Sequence, residues 1–195
     1  MKCRPYGDRA VLLDCASLDE ARSWYAALSD HVEAVLGAQT VLLRGVPGEL
    51  NSLVARTTPV QLGSMPLGPL IEVPVVYDGE DLDAVAHLTG LTRDAVIEAH
   101  SGSDWTAAFG GFAPGFSYLI GGDPRLEVPR RNSPRTSVPA GAVGLAGQFS
   151  GIYPRSSPGG WQLIGRTDVP MWDLDRTPPA LLAPGTRVRF VAVAS

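Results

Sequence analysis

From Trp105 to the C-terminus, glycine or proline interrupts the chain every few residues, so no helix of ordinary length can run through this half. Between the interruptions stand short apolar runs, "SVPAGAVGLAG", "WQLIGRT", "DVPMWDL" and "TRVRFVAVA", the spacing expected of a β-barrel or sandwich. Pro124, Pro129, Pro134 and Pro139 lie five residues apart within it. Each ring pins its own φ and pushes the preceding residue toward extended backbone, which predicts a stiff, largely extended arm over 124–139. Arg125, Arg130 and Arg135 each follow one of these prolines. Either their guanidinium groups converge on an anion, or they are solvated or paired with the acidic helices that precede the arm.

The first seventy residues carry a different pattern, that of a small α/β unit. "RAVLLDC" and "AQTVLLRGV" read as strands. Between them "SLDEARSWYAALSDHV" has Ser17 as N-cap, Glu20 at the capping-box position, and Ala21, Trp24, Tyr25 and Leu28 on one helical face. "GELNSLVART" predicts a short helix. "TTPVQLGSMPLGPL", residues 57–70, has the proline and glycine content of a linker, which predicts domains over 1–70 and 71–195. The second opens with a strand, "IEVPVVY", and two helices follow: Asp81 to Leu88, stopped at Gly90, and one capped by Thr92 that turns Ala95, Val96 and Ala99 inward. The fold class expected is therefore α+β.

Charge is segregated along the chain. Residues 109–167 carry a net +4, all of it from arginine, whereas residues 1–108 carry −8; Lys2 is the only lysine. A formal net charge of −4 gives no electrostatic reason for a nucleic acid or anionic membrane partner. The start "MKCRPYGDRAVLLDC" places charges where a secretory leader needs an apolar run, and no stretch approaches the roughly 20 apolar residues of a membrane span, so a cytoplasmic protein is expected. Cys3 and Cys15 have no partner residues at metal spacing, which leaves them as reduced structural thiols and predicts no metal site.

Two glycine-rich stretches offer a pocket. "GFAPGFSYL" supplies Phe112, Phe116 and Tyr118; "SPGGW" supplies Gly159 and Gly160, which let backbone approach a ligand, and Trp161 as a flat wall. An aromatic pocket rimmed by arginine would take a small anionic or carboxamide compound, while a packed barrel corner would need the same residues. His100 ends its helix just before this region and is the one histidine placed to reach it, although a histidine there also complements the helix dipole. No phosphate loop, Gly-x-Ser-x-Gly elbow or zinc spacing is present in the sequence, so catalysis by this chain alone is not expected.

"YGDRAVLL", "IEVPVVY…VIEAH", "GFAPGFSYL", "PRRNSPRTSVPAG", "GIYP" and "SPGGWQLIGRT" occur in an order that resembles the subunit-1 family of bacterial allophanate-hydrolase-type proteins, which includes the B component of 5-oxoprolinase and an inhibitor of a sporulation histidine kinase. The resemblance implies a small N-terminal α/β domain and a C-terminal cyclophilin-like β-barrel. It implies an ATP-dependent 5-oxoprolinase (5-oxoproline to glutamate) with ATP used by the complex. The partners it implies are a subunit-2 homologue of the 5-oxoprolinase C type and a barrel-type component of the A type. A regulator of a sensor histidine kinase, a lone small-molecule binder, or a protein of allophanate and urea-derived amide metabolism are the alternatives. Mapped onto this sequence, the site residues are His100 as a catalytic candidate and Arg130, Arg135, Tyr153, Trp161 and Arg166 for substrate, with the glycines of "PGGW" shaping the backbone. Relatives read Gly-Gln-Thr-Gly before Ile-Tyr-Pro; here Phe149 holds the usual Gln position, with Gln148 beside it.

Overall fold

The computed structural model describes residues 1–64 and 68–194, and the chain forms two compact units, Met1–Pro66 and Leu67–Ser195. In the first, strands β1 (Lys2–Pro5), β2 (Ala10–Asp14), β3 (Glu33–Leu36) and β4 (Thr40–Arg44) form an antiparallel sheet in the order β1-β2-β4-β3, with helices α1 (Leu18–Leu28) and α2 (Pro47–Arg56). The two central strands are the two whose apolar pattern predicts them. β1 is exposed throughout and β3 buries only Leu36, so neither edge carries an alternating signal. Ser17 caps α1 by accepting the Glu20 N–H at 3.1 Å, while the Glu20 carboxylate takes the Ala16 N–H at 2.6 Å, one residue before the usual capping-box partner. Ala21, Trp24 and Leu28 are its buried face; Tyr25 is half-buried. The first part of the expected linker folds back on the helix, with the Val60 N–H on the Ser23 carbonyl. Residues 65–67 of that linker lie outside the described residues.

The second unit begins with β5 (Leu70–Val75), α3 (Leu82–Thr89) and α4 (Arg93–Ser101). It continues through β6 (Asp104–Gly110), β7 (Ser117–Ile120), β8 (Arg135–Val138), β9 (Ala142–Ala146), β10 (Phe149–Ile152), β11 (Ser157–Gly159), β12 (Gln162–Arg166) and β13 (Arg187–Ala192). Gly90, at φ 70°, stops α3, a conformation that costs glycine nothing, and Thr92 caps α4 through the Ala95 N–H. Seven strands make one sheet in the order β12-β9-β10-β7-β6-β13-β5, in which β13 and β5 run parallel. Its two edges meet: Val76, just past β5, exchanges both backbone hydrogen bonds with Arg166 of β12 at 2.9 Å. Closure removes the open edges, and the result is a mixed α and β architecture that fits a cyclophilin-like barrel.

Val73, Val75, Ala107, Leu119, Val143, Leu145, Ile152, Ile164, Val188 and Phe190 project into the barrel core, joined by Val85 of α3 and by Val96 and Ala99 of α4. Each large aliphatic side chain so buried contributes about 1.5–3 kcal/mol. β9, "AVGLA", is buried on both faces, and its alternation matters for what lies outside the core. Val143 and Leu145 fill the core, whereas Ala142 and Ala146 pack in a second cluster with Phe116, Tyr153 and Trp161. Small residues on that face leave room for the rings. The proline arm is less uniform than predicted. Pro124–Leu126 is a 3-10 turn because the Asp123 carboxylate accepts the Arg125 N–H at 2.9 Å; Val128 then bridges Gly147, and extended strand resumes at β8, which pairs with β11.

Candidate functional site

β6 ends at Gly110, and the turn to β7 carries Gly111 and then Phe112, at φ 65° and 57% exposed. Phe116, four residues on, is buried and is the hub of an aromatic cluster. Its ring meets those of Phe112 (5.3 Å), Tyr118 (5.1 Å), Tyr153 (5.6 Å) and Trp161 (5.3 Å), all edge to face. That geometry places the positive edge of one ring on the negative face of the next. The chain must come very close to build it: a Cβ on Gly159 would overlap the Tyr153 hydroxyl. Phe112, Phe116, Tyr118, Arg130, Tyr153, Gly159, Gly160 and Trp161 line one cavity of about 70 Å³. The aromatic and glycine candidates thus converge, with Arg130 as the single cation among the lining residues.

Arg130 forms no ion pair among the described residues, so its charge is uncommitted. Burial holds the Tyr153 hydroxyl above its ordinary pKa, opposed by a backbone hydrogen bond from Trp161 and by the charges of Arg130 and Arg135. It stays a neutral phenol that can donate to a bound acceptor. A carboxylate or carboxamide oxygen is therefore what this cavity can hold: one planar guanidinium at its mouth, a hydroxyl inside, apolar walls around.

Arg135 does not line the cavity. Its Nη2 donates to Asp81 at 2.8 Å and Glu80 at 3.1 Å, and Arg131 reaches the same Asp81 oxygen at 2.5 Å. The other Asp81 oxygen accepts the Leu163 N–H at 2.7 Å. Burial alone would raise this carboxyl, but the Arg135 hydrogen bond, the Leu163 N–H and the two cationic charges outweigh it and hold Asp81 below the usual carboxylate range. Asp81 thus ties the arm to β12 just beyond Trp161. In the sequence Asp81 stands out only as a helix start; the charge segregation between the acidic half and the arginines is the signal for this pairing.

His100 is fully buried in the barrel core and lines none of these surfaces. Its Nδ1 lies 2.7 Å from the Tyr77 hydroxyl, its Nε2 2.9 Å from Ser150 Oγ, and its ring stacks on Phe190 at 4.2 Å. Burial lowers its pKa to about 3, so it is neutral. Arg166 pairs with Asp78 at 3.0 Å beside a different groove, lined in part by Glu80, Pro139 and Leu163. Gln148 and Phe149 also lie away from the aromatic cavity's lining. Among the described residues no cluster of three or more His, Cys, Asp or Glu could hold a metal ion, and no helix is long and apolar enough to cross a membrane.

A family described as carboxyltransferase domain, subdomain C and D, matches residues 1–182. The chain belongs to this family. Among its carboxyltransferase-domain relatives is the B subunit of 5-oxoprolinase from Escherichia coli O157:H7, 39% identical over 97% of this chain and 95% of that one. The solved protein TTHA0988 superposes with a TM-score of 0.80 at 34% identity over 96% of this chain, which spans only 40% of that longer protein. The urea amidolyase of Saccharomyces cerevisiae is 32% identical over 58% of this chain, a match that occupies 6% of its length.

Proposed function

We propose that this chain is the B-type subunit of an ATP-dependent 5-oxoprolinase, working with a C-type homologue and a barrel-type A component that bring in ATP. The identity shared with the E. coli protein along nearly all of both chains carries this reading. The site is consistent with it. 5-Oxoproline is a flat lactam bearing one carboxylate, and the cavity offers one guanidinium, one phenol and aromatic walls. At about 70 Å³ it has room for a carboxylate rather than for the whole lactam, so a partner chain completes the site. In this arrangement Arg130 anchors the substrate carboxylate, Trp161 and Phe116 exclude water from it, and Arg135 and Asp81 hold the arm in place.

The test is reconstitution. Co-expressed with its C-type and A-type partners, the chain is expected to co-elute with them at micromolar concentration and to support ATP-dependent formation of glutamate from 5-oxoproline, while the chain alone turns over nothing. Turnover by the isolated chain, or failure to co-elute, would sink the proposal. In the complex, Arg130→Lys is expected to raise KM roughly five- to ten-fold without moving the thermal midpoint, because lysine keeps the charge but loses the two-pronged donor. Arg135→Lys is expected to lower the midpoint as well. The yeast urea amidolyase match favours a second reading, a urea-derived linear amide as substrate, and glutamate formation against allophanate breakdown in the same complex separates the two.

A further inference from the structure

A larger cavity, of about 260 Å³, shares a wall with the aromatic one. Phe149 lines the larger and Tyr118 the smaller, and their rings meet edge to face at 5.4 Å. Its floor is apolar, made by Trp105, Leu126 and Leu145, each 2% exposed or less. Its rim is built from the turn after β7 and from the β9–β10 hairpin, and the polar side chains there are Asp123, Glu127 and Gln148. Asp123 is spent, since it accepts both the backbone N–H and the guanidinium of Arg125. Glu127 forms no ion pair among the described residues, and Gln148 is exposed. No basic residue among those described lines the cavity. Its chemistry is therefore the complement of its neighbour's: an uncommitted carboxylate and a carboxamide over an apolar floor, where the neighbour has an uncommitted guanidinium.

We propose that this second cavity binds a small organic cation, an amine- or amidine-bearing molecule whose flat apolar body lies against Trp105 and Phe149 and whose N–H donors reach Glu127 and Gln148. The flat body gains from burial against the apolar floor, and the cationic group from the Glu127 carboxylate at the rim. The inference rests on residues that the proposed substrate site does not use, so either can fail without the other.

Benzylammonium is a suitable probe, with benzoate and benzyl alcohol of the same shape as controls. The chain has four tryptophans, and their indole N–H signals resolve the two cavities, since Trp105 lines the second and Trp161 the first. Benzylammonium is expected to shift the Trp105 signal saturably at low-millimolar concentration, with benzyl alcohol weaker and benzoate weakest at that signal. Glu127→Gln should weaken benzylammonium roughly five-fold or more, an effect tempered by the exposure of the carboxylate. Arg130→Gln should leave it unchanged. A Trp105 signal that benzylammonium does not move, that benzoate moves equally, or whose response survives Glu127→Gln intact would overturn the proposal.

Discussion

Asp81→Ala is expected to destabilise the second unit by about 2–4 kcal/mol, among the largest effects of any single polar substitution in this chain. The carboxylate side chain is 4% exposed and faces two guanidinium groups, of which Arg135 is 14% exposed. Removing it strands a buried cation whose one remaining partner, Glu80, is 74% exposed and too well solvated to compensate. It also leaves the Leu163 N–H without its acceptor. The lower half of the range allows for Arg131, at 36% exposure already partly hydrated. Asp81→Asn keeps an acceptor for Leu163 and should lie between wild type and alanine. pH provides an independent readout. The folded-state pKa of Asp81 is depressed, so its contribution is complete above the unfolded carboxyl value, near pH 4, and is lost as pH falls through the folded value. Urea titrations at pH 7 and pH 3 should therefore show the gap between wild type and Asp81→Asn shrinking at the lower pH. A gap that is equal at both, or an alanine variant within about 0.5 kcal/mol of wild type, the ordinary scale of surface changes, would remove Asp81 as the tie between arm and barrel.

What could be read from the sequence was whatever repeats or punctuates. Ser17, Gly90 and Thr92 mark helix ends by local chemistry, and the structure uses each of them so. β2 and β4 alternate because one face is buried; β1 and β3 are edges, and an edge strand leaves little hydrophobic trace. In the site, composition brought Phe112, Phe116, Tyr118, Trp161 and the glycines under one heading because rings and backbone approach are needed together, and they share a cavity. The proline spacing made Arg125, Arg130 and Arg135 look equivalent. They are not: Arg125 turns back on Asp123, Arg130 stays open at the cavity, and Arg135 is committed to Asp81 and Glu80. Arg125 finds its partner two residues away, but that of Arg135 is Asp81, 54 residues away in the chain, brought to it by a barrel closure that no local pattern encodes. His100 illustrates the same limit. Its position near the glycine-rich segment is close in sequence, yet the direction of α4 turns the ring into the barrel core.

That burial makes His100 the acid-sensitive element of the fold. Wild-type stability is expected to fall as pH drops from about 6.5, at close to ~1.4 kcal/mol per pH unit, because the unfolded chain takes up a proton on this imidazole and the folded chain does not until its pKa of about 3. The group's folded pKa is depressed, so stability is complete above the unfolded value and is lost progressively as pH falls toward the folded one. Between pH 7 and pH 5 the loss should reach roughly 2 kcal/mol, in a window above the range where Asp81, Asp104 and Asp123, whose pKa values are lowered, lose their charge. His100→Gln keeps groups that can bond the Tyr77 and Ser150 hydroxyls but cannot titrate. It should be less stable at pH 7 through lost stacking on Phe190, and its stability should be flat across the same window. The slope, not the offset, carries the assignment, since any core substitution shifts the midpoint. Urea denaturation of both proteins at pH 7, 6 and 5 decides it: a wild type with no slope, or a variant that retains it, means that the imidazole reaches solvent and is not the neutral core group described above.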